Sequence, residues 1–244
     1  MQILGCNFFS VFIIGYPMFY FDPTYILVIA GAIICMLASA NVSMTFNRYK
    51  KVRTSTGITA QEAASRILSG AGISNVRIER ISGDLTDHYD PRDKVLRLSD
   101  SVYGMSSVAA VGVAAHECGH AIQDNQSYAP LRWRNSIVPV VNIGSKLCWP
   151  VIILGLILSS LNLLWVGIAL FGLTLLFQVV TLPVEFDASH RALKILGSSG
   201  ILYENEVKGA RKVLSAAAMT YVASTVSTIL QLLRLVLLFG RRDD

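Results

Sequence analysis

Three long stretches of this chain carry no charged side chain, and they decide what it can fold into. Residues 24–47, 147–184 and 213–233 contain no Asp, Glu, Lys or Arg. A helix needs about 20 apolar residues to cross the hydrocarbon core of a bilayer. The first run therefore supplies one span. The second, joined to the apolar stretch from Ile137, is long enough for two, with the polar break Ser159-Ser160-Leu161-Asn162 as the turn between them. The third predicts a helix over roughly 213–239, whose Thr220, Ser224, Thr225, Ser227, Thr228 and Gln231 give it a polar face suited to packing against other helices. Only 15% of the 244 residues are charged and 53% are hydrophobic. An ordinary soluble domain carries about 25% charged residues, so a freely soluble or a disordered chain is excluded.

The formal net charge is +5, from 21 basic and 16 acidic residues. In a membrane chain this balance belongs to basic loops held on the cytoplasmic side, not to nucleic acid. Arg48, Lys50, Lys51 and Arg53 follow the first span, Arg132 and Arg134 precede the second, and Arg191, Lys194, Lys208, Arg211 and Lys212 follow the third. These place 48–134 and 185–212 in the cytoplasm and the 159–162 turn outside. Arg241 and Arg242 point weakly the other way. The organisation expected is an N-terminal apolar segment (1–22), a span (23–46), a cytoplasmic part (47–135), a transmembrane hairpin (136–183), a helix and loop (184–212) and a C-terminal apolar helix with its tail (213–244). Residues 1–21 are charge-free but have no basic n-region, so they read as an extra crossing, an interfacial segment or the product of a wrongly assigned start codon, not as a cleaved signal. Cys6, Cys35, Cys118 and Cys148 form no CxxC pattern and read as small buried hydrophobes.

Within 47–135, Thr59 and Glu62 form a capping box ahead of Ala63, Ala64, Ile67 and Leu68 at helical spacing, with Gly70 and Gly72 as the stop. Residues 75–81 and 94–99 alternate as two short strands, the second offering an edge for an extended peptide. A helix over roughly 105–124 follows, rich in Ala and Gly that let neighbouring helices approach closely. The fold expected is mainly α: a multi-span helical bundle with a small α+β zincin-like domain on the cytoplasmic side.

That last helix carries His116-Glu117-Cys118-Gly119-His120. Histidines at i and i+4 project from one face and suit two nitrogen ligands of a zinc ion (Zn2+), with Glu117 beside them as general base. Chance would produce this pattern in such a chain about two times in a thousand, so it is signal. Cys118 faces away and reads as packing. A catalytic zinc needs a third protein ligand and an open position. The candidates are His88, His190 and the carboxylates. Glu185 is the best of them, because two crossings return the chain to the face of His120, and Pro183 reads as a helix restart with Glu185 in its first turn. The alternative for Glu185 is a carboxylate that stabilises a helix N-terminus. His88, in Asp87-His88-Tyr89-Asp90-Pro91-Arg92, reads either as a donor to a developing oxyanion or as part of a polar loop.

These motifs, with Leu182-Pro183-Val184-Glu185-Phe186-Asp187-Ala188-Ser189, resemble the YugP-type membrane zinc metallopeptidases of bacteria over nearly the whole chain from Phe21. The resemblance implies a neutral zinc peptidase in the cell membrane acting on a polypeptide substrate. More distantly the site is similar to the HtpX-type membrane proteases, which take a Glu from an ExxAD motif. Glu185 and Ala188 match that motif, but Ser189 stands where those proteases have Asp, so Asp187, Asp84 or Asp87 is expected to replace the carboxylate partner. Two other readings fit a pair of histidines: a metal transporter or sensor, and a scaffold with structural zinc. Neither needs Glu117 beside the ligands.

Overall fold

The computed structural model describes residues 22–240. The expectations for the first 21 residues and for Arg241 and Arg242 lie outside the described residues. The elements are α1 (Tyr25–Tyr49), α2 (Ala60–Gly70), β1 (Arg77–Ile81), β2 (His88–Asp90), β3 (Val95–Ser99), α3 (Val108–Asn125), α4 (Ala129–Ile157), α5 (Leu161–Ser198) and α6 (Glu204–Phe239). The chain is mainly helical with one small sheet. It divides into two compact units, one built from residues 39–132 and 183–219 and the other from 22–38, 133–182 and 220–240.

The first unit has a core of its own. α2 opens on the capping box: Thr59 Oγ1 accepts from Glu62 N, and the Glu62 carboxylate accepts from Thr59 N at 2.9 Å. Its apolar face, Ala60, Ala63, Ala64, Ile67 and Leu68, packs on the Ala/Gly-rich α3. Ser107 caps α3 by accepting from Ala110 N. The sheet has three strands, not the two expected, in the order β1-β3-β2. β1 runs parallel to β3, with Ile78 opposite Leu96, and β2 runs antiparallel to it, with Tyr89 opposite Leu96. β3 is therefore central, and both its edges are paired. The expected addition of a peptide strand to 94–99 is ruled out by this pairing. β2 escaped the sequence pattern because His88, Tyr89 and Asp90 lack an apolar alternation and are followed by turn chemistry, Asp90 accepting from Arg92 N.

Small residues on α3 set how closely two other helices approach. A Cβ at Gly112 would lie 3.3 Å from Ala210 Cβ of α6, and one at Gly119 only 2.6 Å from the Ala188 carbonyl oxygen of α5. α5 runs unbroken through Pro183, so the expected helix restart does not occur. A proline removes one intrahelical bond. Against that, Val184, Ala188, Ala192 and Leu196 recur every fourth residue and are all fully buried, which holds the segment in helical phase. Glu185 thus lies mid-helix, and the alternative role at a helix N-terminus is removed.

In the second unit, α4 and α5 form a hairpin through the turn at 158–160, where Ser159 takes φ 50°. Trp149 packs edge-on to Phe171, with centroids 6.3 Å apart. α1 and α6 run antiparallel: Gly31 makes room for Ser227, while Arg234 reaches Asp22 at 3.5 Å and lies over the Tyr25 ring. The polar face expected of α6 is turned inward, with Thr225, Ser227 and Thr228 buried and Ser224 accepting from Gln178 Nε2. Large apolar side chains point outward instead: Ile26, Leu37 and Ile157 are 68%, 65% and 73% exposed. In water such a surface would aggregate; in a bilayer it is solvated. α1, α4, α5 and α6 are each long and apolar enough to cross a membrane.

Candidate metal centre

The His116 and His120 rings project from one face of α3, one helical turn apart, with centroids 4.7 Å apart and planes nearly perpendicular. Glu185, from the face of α5 packed against Gly119, enters the same space. Its Oε2 lies 3.3 Å from His116 Nε2 and 3.6 Å from His120 Nε2. One ligand atom from each residue falls within 4.8 Å of the others, and all three side chains are buried. His116 Nε2 is buried without a hydrogen bond in the protein. Burial by itself pushes the Glu185 carboxyl up, but the two imidazoles beside it reverse this and hold it well below the ordinary glutamate range.

The outward nitrogens are held by polar partners. Gln123 Nε2 donates to the Val184 carbonyl at 2.9 Å and to Asp187 Oδ2 at 2.8 Å. Both partners are acceptors, so the amide orientation is fixed, and Gln123 Oε1 is the atom 3.0 Å from His120 Nδ1. An amide oxygen only accepts. His120 Nδ1 therefore donates to that oxygen, and Nε2 is the nitrogen that faces Glu185. Arg191 in turn donates to Asp187 Oδ2 and anchors the far end of this chain. On the other imidazole, Ser189 Oγ lies 3.1 Å from His116 Nδ1. Two imidazole nitrogens and a carboxylate oxygen, held from outside by polar partners, match the donor set of a zinc peptidase site.

Glu117 is almost fully buried and accepts a hydrogen bond from Tyr89 N of β2 at 3.1 Å. The same strand is tied to α3 by Tyr89 Oη, which donates to Asp124 Oδ2 at 2.7 Å; burial and this bond raise the Tyr89 phenol. Lys94 Nζ also meets Asp124. Asp87 is buried where the sheet begins and accepts from Ser99 N and Oγ. Burial raises its carboxyl above the usual range, the Ser99 bonds oppose the rise, and the Glu117 charge adds to it.

The structure thus brings His116, His120 and Glu185 together, with Glu117 beside the pair. It does not bring His88 into the group. His88 Nδ1 faces the Thr86 carbonyl at 2.8 Å and Nε2 lies 3.4 Å from Arg97 Nη1. Alternation in β2 turns Tyr89, not His88, toward α3. His190 is exposed on α5. Cys118 packs with Sγ on the Ala64 carbonyl, and burial raises its thiol, so it stays protonated. Of the carboxylates expected to replace the missing Asp, Asp84 is exposed and Asp87 is held by Ser99. Asp187 acts one step removed, through Gln123, while Ser189 itself meets His116. Sequence reading missed Gln123, although its i+3 spacing from His120 was a usable signal. It also missed Tyr89, whose contribution is a backbone N–H that no residue type announces.

Among the described residues, four helices long and apolar enough to cross a membrane and a buried His-His-Glu group fit a membrane-bound zinc peptidase. Residues 24–240 match the family described as "Putative neutral zinc metallopeptidase", and the chain belongs to that family. It is 46% identical over 219 residues to the "Putative membrane protease YugP" of Bacillus subtilis (strain 168), an alignment that covers 89% of this chain and 97% of that protein. No solved structure matches the chain.

Proposed function

We propose that this protein is an integral-membrane zinc endopeptidase of the gluzincin-like HExxH class. His116, His120 and Glu185 hold the metal, and Glu117 is the general base. The observation that carries the reading is the convergence of two imidazole nitrogens and a buried carboxylate beside a second buried carboxylate. When bound, zinc supplies Lewis acidity, which acidifies water and polarises a carbonyl. Glu117 takes a proton from the attacking water as the peptide carbonyl becomes tetrahedral. It then returns that proton to the leaving amine nitrogen. The Tyr89 N–H steers the Glu117 carboxylate toward the pair of histidines. The zincin-like part comprises 47–135 with the ligand helix at 184–212, and the spans are 23–46, the hairpin 136–183 and the helix from 213. The basic flanks put the site on the cytoplasmic side of the cell membrane. Substrates are then membrane-associated polypeptides, in keeping with membrane-protein quality control.

Metal removal tests this directly. Purified protein should cleave casein or a membrane-protein fragment, lose that activity on dialysis against EDTA, and regain it with stoichiometric zinc. Cleavage that survives with less than a tenth of an equivalent of zinc, on the order of background occupancy, contradicts the mechanism. The role of Gln123 is tested separately. Gln123→Leu keeps the bulk but leaves His120 Nδ1 without its acceptor. Zinc affinity, measured by competition with a chromogenic chelator, should fall about 10- to 100-fold. A folded variant with unchanged affinity would remove Gln123 from the metal's support.

A further inference from the structure

We propose that a cleft between α1 and α6 binds the phosphate group of an anionic phospholipid. The cleft lies within the first unit, holds about 340 Å³ and is lined by Asn41, Thr45, Arg48, Tyr49, Lys212, Ser215, Ala216 and Met219. Its geometry follows from helical spacing. Residues 41, 45, 48 and 49 share one face of α1, and 212, 215, 216 and 219 share one face of α6. Two glycine- and alanine-sized positions make the space. Gly209 has no Cβ to meet the Tyr49 ring, whose Cε1 would be 2.8 Å away, so the ring seats on α6. Ala216 also lines the space and packs in a small buried cluster with Val42 and Ala217.

The lining is chemically one-sided. Arg48 and Lys212 bring two positive charges, and among the described residues no Asp or Glu lines the cleft. Among the described residues neither cation enters an ion pair; Arg48 lies instead over the Tyr49 ring at 5.8 Å. Thr45, Ser215 and Asn41 add two hydroxyls and an amide. Two cations with hydroxyl and amide donors are a phosphate-binding set. Their level selects the source of that phosphate. Arg48 is the first charge after the run 24–47, and Lys212 is the last charge before the run 213–233. The two cations therefore stand side by side where hydrocarbon gives way to headgroups, the depth of a phospholipid phosphate. Asn41 and Met219 lie two turns deeper, alongside the first acyl carbons.

The proposal does not depend on the metal site, and its test does not use proteolysis. The full chain, purified in neutral detergent, is titrated with phosphatidylglycerol and bound lipid is counted by native mass spectrometry. Wild type should retain one lipid more tightly than phosphatidylcholine. R48Q and K212Q should each weaken retention about fivefold, and the double variant about 25-fold. K50Q with K51Q removes the same charge outside the cleft and should leave retention unchanged. Inorganic phosphate at millimolar concentration should not displace the lipid. Equal retention in wild type and R48Q/K212Q, an equal loss in K50Q/K51Q, or displacement by free phosphate would each overturn the assignment. Unchanged melting temperature in R48Q/K212Q separates a lost site from a lost fold.

Discussion

Glu117→Gln should abolish peptide cleavage while leaving the metal in place. The substitution keeps the shape of the side chain, and its amide oxygen can still accept from Tyr89 N, now 3.1 Å from Glu117 Oε2. What disappears is the capacity to take a proton from water and to deliver it to the leaving nitrogen. General acid–base catalysis by a positioned group contributes about 10²- to 10⁴-fold, so kcat should fall by that factor. KM and zinc content should hardly move, since Glu117 is outside the three-residue group. Casein cleavage and bound zinc measured on the same preparation separate the effects. A variant that cleaves at the wild-type rate would refute the base assignment, and one that has lost its zinc would make Glu117 part of the metal's support.

Removing Glu185 should act on the metal itself. Its Oε2 lies within 3.3 and 3.6 Å of the two Nε2 atoms, and α5 offers no other carboxylate to that space, since Asp187 is engaged by Gln123 and Arg191. Losing a direct ligand costs more than the about 10- to 100-fold lost with an outer partner. Glu185→Ala should therefore emerge from dialysis nearly free of zinc and without activity. Glu185→Gln supplies a control that preserves volume, because it keeps the packing under Ala188 while weakening the donor. Full zinc occupancy in Glu185→Ala would take residue 185 out of the coordination shell. Loss of zinc together with a collapsed melting curve in both variants would mark a structural role instead.

Local rules carried the reading of α2 and α3. Thr59 and Glu62 cap one helix with contacts three residues apart, and His116 and His120 share a face whatever surrounds them. The approach of Glu185 from 65 residues further on was also legible, because the apolar stretch from Ile137 to Val184 is long enough for two crossings, which return the chain to the face it left. The misses arose where distant packing overrides a local signal. Pro183 reads as a break, yet the buried stripe Val184, Ala188, Ala192 and Leu196 carries the helix straight through it. β2 is three residues of polar sequence that become a strand only because β3 offers them an edge. The orientation of His120 rests on an amide whose own direction is set by Val184 and Asp187, two partners outside α3. No window of sequence contains that information.

The backbone contact at Gly119 has a consequence for how the five-letter pattern should be read. The two positions between Glu117 and the second histidine are usually written as free. Here position 119 faces the Ala188 oxygen with space for a hydrogen atom and nothing larger, and position 118 is sealed under Ala64. A methyl group at 119 would push away the very rod that delivers the carboxylate. In this architecture the interval between the two imidazoles is a gauge: its smallest letter sets how near the helix that carries Glu185 can come.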